Sequence, residues 1–178
     1  IQRGFDLLSD KDEMINYFIN RYTNFRTKED SLIFSTAFDL IENRKPAESI
    51  ILLNKLLINY PTNAKLLYEL GFASVELGNF YDAIYYLEKG RRILPCYGKI
   101  LSELQYCYSE VGNIQNTKSI INERLKYLGD SPELYHELAF AYLKNSDYRH
   151  AISAFEYNIS NFPDFILSYF SYAQVMFN

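Results

Sequence analysis

The sequence has no tryptophan, only two cysteines, five prolines and seven glycines among 178 residues, and a formal net charge of −4. An all-β domain of this length needs more turn residues than these. Aromatic residues are abundant, with 17 tyrosines and 13 phenylalanines, which excludes a disordered chain. A nucleic-acid-binding domain is usually basic on at least one face. The short basic pairs of this chain form no stripe, so we expect no nucleic-acid partner.

Long hydrophobic runs are also lacking, and no run of about 20 apolar residues is present to span a membrane. The first residues become polar and acidic too early for a signal peptide. Because the chain starts at Ile1, we expect an excised fragment or a mature chain, and the compartment is left open. Cys96 and Cys107 are expected to be free thiols, because their spacing along a loop and helix separates them by over ~10 Å.

Catalytic and metal-binding signatures are missing as well. The segment HELAF begins like a zinc-protease motif at His136, but Phe140 stands where the second histidine is needed. The other histidine, His150, is 14 residues from His136, and no cysteine and histidine cluster has zinc spacing. We therefore expect no enzymatic activity, no metal and no cofactor.

What the sequence does contain is a period of 34 residues. Pro61 and Pro95 are 34 residues apart, and Pro163 follows after twice that interval. Gly78 and Gly112 have the same spacing. Apolar positions repeat in the same phase: Leu67, Leu101 and Tyr135, and also Leu70, Leu104 and Leu138. Such a period indicates a repeat protein.

Each period predicts a helix, a short turn and a second helix. In the unit that starts at Ala64, apolar and small residues occupy one helical face of each helix. Gly78 is predicted to end the first helix and Asn79 to cap the second. Gly71 lies inside the first helix, and we expect it to let the second helix approach closely, with Ala83 as the matching small residue.

These units resemble the tetratricopeptide repeat family, whose pattern is W-x2-L-G-x2-Y, A-x3-F and P. One unit reads Leu67-x2-Leu70-Gly71-x2-Ser74, Ala83-x3-Leu87 and Pro95, and another reads Tyr135-x2-Leu138-Ala139-x2-Tyr142, Ala151-x3-Phe155 and Pro163. The unit from Gly98 departs most, because Gln105, Thr117 and Gly129 replace the small residue, the alanine and the proline. The resemblance implies an all-α fold, a right-handed superhelical α-solenoid of antiparallel helix pairs.

The period also sets the expected domain organisation. We expect residues 1–29 to form an N-terminal helical segment that packs on the array. Repeats are expected at 30–63, 64–97, 98–131 and 132–165, followed by a terminal half-repeat at 166–178.

A second stripe runs along the first helix of each repeat, away from the packing face. Counted from the start of each repeat, its ninth positions are all aromatic: Phe38, Phe72, Tyr106 and Phe140. Its fifth positions are mostly aromatic, and its thirteenth positions are mostly acidic: Phe34, Tyr68, His136 and Phe170, then Glu42, Glu76 and Glu110. By the resemblance, this side of the helices lines a concave groove that holds a partner peptide or helix.

The sequence therefore predicts a scaffold or adaptor for protein–protein interaction. The aromatic and acidic groove favours an apolar or aromatic partner segment that carries basic residues. The best-known peptide-binding members of the family that these units resemble hold a C-terminal carboxylate with a clamp of lysine and asparagine. Rings occupy the corresponding positions here, so we expect no ligand of that class. Packing between neighbouring helices, or closure of the groove by the N-terminal helix, would explain the same rings. A secretion-type chaperone for a hydrophobic client segment and a docking or regulatory region of a larger enzyme are alternative functions.

The last helix is apolar almost all round, whereas a repeat array needs a polar end. We expect either that the native chain continues past Asn178 or that a second copy covers this helix. Self-association through the C-terminal helix is therefore a further prediction.

Overall fold

The computed structural model of the chain describes residues 23–95 and 97–177. In this part of the chain the secondary structure consists of nine α-helices and no strands. They are α1 (Lys28–Glu42), α2 (Pro46–Asn59), α3 (Ala64–Glu76), α4 (Phe80–Ile93), α5 (Gly98–Glu110), α6 (Ile114–Leu128), α7 (Pro132–Lys144), α8 (Tyr148–Asn161) and α9 (Ile166–Phe177). The predicted all-α helical repeat fold is confirmed. Most of the predicted N-terminal segment, Cys96 and Asn178 lie outside the described residues.

The helix boundaries follow the 34-residue period. Helices α3, α5, α7 and α9 begin at residues 64, 98, 132 and 166, and α4, α6 and α8 begin at residues 80, 114 and 148. Each helix packs on its neighbour along the chain in two series, α1 to α4 and α6 to α9. The element order is therefore a succession of helix–turn–helix pairs.

Side-chain caps fix where several helices begin. Thr27, Asn63 and Ser131 each accept a hydrogen bond from a backbone N–H three residues later, at 3.0, 3.0 and 3.3 Å. Each bond satisfies one of the backbone donors that a helix start leaves without a partner. Pro132 follows its cap directly, at the helical position where the missing backbone N–H of proline is tolerated. Asn79 is the N-cap residue of α4, as predicted, but its side chain makes no capping hydrogen bond.

The turn inside each pair has one backbone conformation in all four repeats. Gly78 and Gly112 have φ values of 73° and 72°, as a helix-ending glycine requires. Arg44 and Ser146 stand at the same place in the period and both have φ of 58°. A residue with a Cβ is strained in this left-handed conformation. The turn nevertheless keeps the same geometry in the two repeats that lack glycine.

The chain divides into two compact units, residues 1–107 (unit 1) and residues 108–178 (unit 2). Unit 1 has an apolar core of Phe34, Ala37, Ile41, Leu53, Leu56, Tyr60, Leu66, Leu70 and Ala73. Unit 2 has a core of Ala139, Ala154 and Phe155, on which Leu138, Leu143, Tyr172 and Val175 pack. The predicted close approach at Gly71 occurs, but the side chain opposite is that of Leu87 rather than Ala83. None of the described helices is long and apolar enough to cross a membrane.

Candidate functional site

The ninth positions of the first helices keep part of each ring in solvent. Phe38, Tyr106 and Phe140 are 42%, 47% and 46% exposed, and Phe72 is half-buried. Their helices bury the opposite face, where Ala37 and Ala139 are fully buried. A helix that packs on one side usually carries polar residues on the other. The rings on this exposed face are therefore unusual.

The fifth positions do not behave alike. Phe34 is only 6% exposed and belongs to the core of unit 1, so a partner cannot reach its ring while α1 stays packed. Tyr68 and His136 are half-buried, and Phe170 is 70% exposed on α9. Ring periodicity alone could not separate these cases, because Phe34 contacts Phe25, a residue before α1 with a ring centroid 4.9 Å away.

In unit 1, aromatic rings gather beside α3. The Tyr68 ring stacks on Phe72 with centroids 6.1 Å apart and meets Tyr97 edge-on at 6.0 Å. Lys99 places its Nζ 5.7 Å from the Tyr68 centroid, and Lys65 places its Nζ 4.7 Å from the Phe34 centroid. Cations therefore already lie on these rings. Tyr97 precedes α5 in a loop and belongs to no helical period, so the 34-residue pattern does not predict its place in this group of rings.

The acidic positions fall into three environments. Glu42 and Glu76 are exposed, as steering charges need to be. Glu110 forms an ion pair with Lys144, which stands at the thirteenth position of the next repeat. The sixth-position residue Glu69 is buried, and burial raises its pKa to about 7. Burial also raises the pKa of the half-buried Glu103.

In unit 2, Phe140 lies on one side of a concavity between α7, α8 and α9. This concavity has a volume of about 670 Å³ and is lined by Phe140, Leu143, Tyr148, Ile152, Ser171, Gln174 and Val175. His136 shares a hydrogen bond of 3.0 Å between its Nε2 and the Ser171 Oγ. Burial lowers the pKa of His136, partly offset by Glu137. The concavity is thus mainly apolar with a polar edge.

Residues 23–95 and 97–177 contain no group of three or more His, Cys, Asp or Glu side chains placed to hold a metal ion. Cys107 is fully buried in α5. His150 accompanies Asp147 at the start of α8, with Nδ1 2.8 Å from the carboxylate, and this pair forms part of a helix cap.

The helix pairs, their period and the turns that each contain one residue with positive φ define a tetratricopeptide-repeat-like fold. Comparison with solved structures agrees. A tetratricopeptide repeat protein from Parabacteroides merdae is similar with a TM-score of 0.74 and 18% identity, over 85% of this chain and 59% of that one. MamA from Desulfovibrio magneticus is similar with a TM-score of 0.72 and 14% identity, over 85% of both chains. Another MamA structure has a TM-score of 0.71 and 20% identity, over 82% of this chain and 80% of that one. The sequence matches no protein-family model and no curated protein.

Proposed function

We propose that this chain is a non-catalytic scaffold that binds a segment of another protein on the ring-bearing face of its first helices, which the sequence predicts to line a concave groove. The observation that carries the proposal is the exposure of the ninth-position rings. Phe38, Tyr106 and Phe140 each keep more than 40% of their surface in solvent, on helices that fully bury Ala37, Leu104 and Ala139. Exposed apolar surface of this kind usually marks an interaction site.

The residues on the same face indicate which side chains the partner segment should carry. In unit 1, Glu42 and Glu76 are exposed on the same helices as Phe38 and Phe72, and α1 contacts α3. Rings supply apolar contact area, while carboxylates attract basic residues and repel acidic ones. We therefore expect a partner segment with apolar or aromatic anchors and basic residues between them.

A random dodecapeptide library displayed on phage and panned against the chain tests this function. The selected peptides should combine aromatic or aliphatic residues with arginine or lysine. Binding of a selected peptide is then measured by fluorescence anisotropy with wild type and with Phe38→Ala/Tyr106→Ala. The double variant should weaken binding about tenfold or more, since buried aromatic anchors carry much of the energy of such interfaces.

Exposed rings on α4 provide a control. Tyr81 and Tyr85 on α4 are 78% and 56% exposed. Tyr81→Ala/Tyr85→Ala removes two rings that are more exposed than Phe38 and Tyr106, and it should leave peptide binding and the melting temperature nearly unchanged. Failure to select any peptide, or equal binding by both double variants, would refute the proposed function. A collapse in the melting temperature of Phe38→Ala/Tyr106→Ala would instead make the rings part of the core.

A further inference from the structure

The concavity of unit 2 is open at a place that an aromatic ring fills in unit 1. Two periods before Tyr148 and Gln174, the same positions of the repeat carry Phe80 and Tyr106. The Tyr106 ring packs edge-on against Phe80, with their centroids 6.0 Å apart. Residue 174 is a glutamine, so α9 offers no ring to Tyr148 from this position.

The exposure of the two corresponding rings reflects this difference. Tyr148 is 59% exposed, whereas Phe80 is half-buried. The aliphatic residue one turn further along the helix is the same in both places, since Ile152 corresponds to Ile84 and both are half-buried. What unit 2 lacks is therefore the ring from the next repeat.

A ninth-position ring also contributes to packing one repeat earlier. Phe72, one period before Tyr106, packs on the core of unit 1, and so does Ile50 of α2. Ile50 is at the position that Ile84 and Ile152 occupy in later repeats. In unit 1, two successive repeats thus use a ninth-position ring for packing, and Gln174 is the exception.

The lining of the concavity determines which group could take the place of this ring. The volume of about 670 Å³ is within the range of sites that hold a ligand, and none of the described residues that line it is charged. The buried Ser171 is held at its edge by the hydrogen bond of 3.0 Å between its Oγ and the Nε2 of His136. An uncharged ring suits this lining, whereas a charged side chain would lose hydration without gaining an opposite charge.

We propose that this concavity binds an aromatic side chain of the partner segment, between Phe140 of α7 and Tyr148 of α8. This inference rests on the proposed function and names the side chain that unit 2 recognises. Aromatic rings favour edge-on contacts, and the pair of Phe80 and Tyr106 shows that the repeat can form one here. The volume exceeds that of one ring, so an adjoining apolar residue of the segment is accommodated as well.

The test supplies the missing ring from within the chain. Gln174→Tyr introduces the residue that unit 1 carries at this position, and its ring should occupy the concavity. A peptide selected from the phage library should bind this variant about tenfold or more weakly than wild type in fluorescence anisotropy. Gln115→Tyr makes the same substitution at an exposed glutamine on α6 and should leave Kd unchanged. The melting temperature of each variant shows whether the fold is kept.

Versions of the peptide identify the bound side chain. Alanine in place of the anchoring aromatic residue should weaken binding to wild type by a similar factor. It should cause little further loss with Gln174→Tyr, because both changes remove the same contact. Isotope-filtered NMR should show nuclear Overhauser contacts between that aromatic ring and the methyl groups of Leu143, Ile152 and Val175.

Three results would overturn this inference. One is a set of selected peptides that bind Gln174→Tyr as tightly as wild type, and a second is peptides without contacts to these methyl groups. The third is contacts of the methyl groups with a ring of a second copy in the absence of peptide, which would assign the concavity to self-association. If Phe38→Ala/Tyr106→Ala still weakens peptide binding, the proposed function survives each of them.

A probe that needs no peptide separates the two proposals further. p-Cresol, which has the side chain of tyrosine, should at millimolar concentration shift the methyl signals of Ile152 and Val175 in wild type but not in Gln174→Tyr. If no peptide is selected and these shifts occur, the proposed function fails while the concavity still binds an aromatic ring. If no peptide is selected and the signals do not move, both proposals fail.

Discussion

The Cα of Gly71 lies against the side chain of Leu87, so close that a Cβ added at Gly71 would be 2.5 Å from the Leu87 Cγ. Gly71 is in the middle of α3, Leu87 is in the middle of α4, and both are buried. A glycine inside a helix costs about 1 kcal/mol of helix propensity relative to alanine. Glycine is nevertheless required at this position, because the branched side chain of Leu87 occupies the space of the missing Cβ.

Gly71→Ala should therefore lower the free energy of unfolding, by about 1–3 kcal/mol, although alanine is the better helix former. The measurement is urea denaturation followed by circular dichroism. Leu87→Ala removes the obstructing atoms, so in that background Gly71→Ala should instead increase stability by up to about 1 kcal/mol. Propensity alone would give the same gain in both backgrounds, and that result would contradict the packing argument.

The turn residue Ser146 offers a prediction of the opposite sign. It has φ of 58° at the place where two other repeats carry glycine. A left-handed residue with a Cβ is strained by about 1–2 kcal/mol, while glycine loses more chain entropy on folding, so Ser146→Gly should gain up to about 1 kcal/mol. Ser146→Ala keeps the Cβ and should give no gain. A drop in stability with glycine would mean that the Ser146 side chain contributes more than its backbone strain.

Glu69 predicts how stability depends on pH. Burial raises its folded-state pKa to about 7 from an ordinary value of 4.5. The folded state therefore holds the proton more tightly, so stability is lost as the pH rises between these two values. A shift of this size corresponds to a penalty of about 3 kcal/mol at most above pH 7.

Glu69→Gln removes the ionisable group and keeps its shape. The variant should melt at a higher temperature than wild type near pH 8, and the difference should shrink towards pH 5. Exposed Glu48 provides the control, since Glu48→Gln should show no such convergence. A constant difference at every pH would show that the carboxyl charge is not the cause.

The fold could be predicted from the sequence because the residues that end and begin its helices recur at a fixed interval. Turn glycines such as Gly78 and capped helix starts such as Ser131 act locally, and a period of 34 fixes which helices form pairs. The candidate site could be predicted only in part. Whether a ring at the fifth position is buried depends on residues from other elements, as Phe25 beside Phe34 and Tyr97 beside Tyr68 show. Such neighbours follow no period, so a repeat pattern does not reveal them.

The apolar face of α9 carries the last prediction. Ile166, Phe170 and Phe177 are 64%, 70% and 90% exposed. An exposed apolar surface of this kind favours association, because contact removes it from water. Light scattering should therefore find a molar mass that increases with concentration, and Phe170→Glu should reduce this increase. Tyr81→Glu introduces the same charge at an exposed ring on α4 and should not. A constant monomer mass for wild type across the concentration series would exclude self-association through α9.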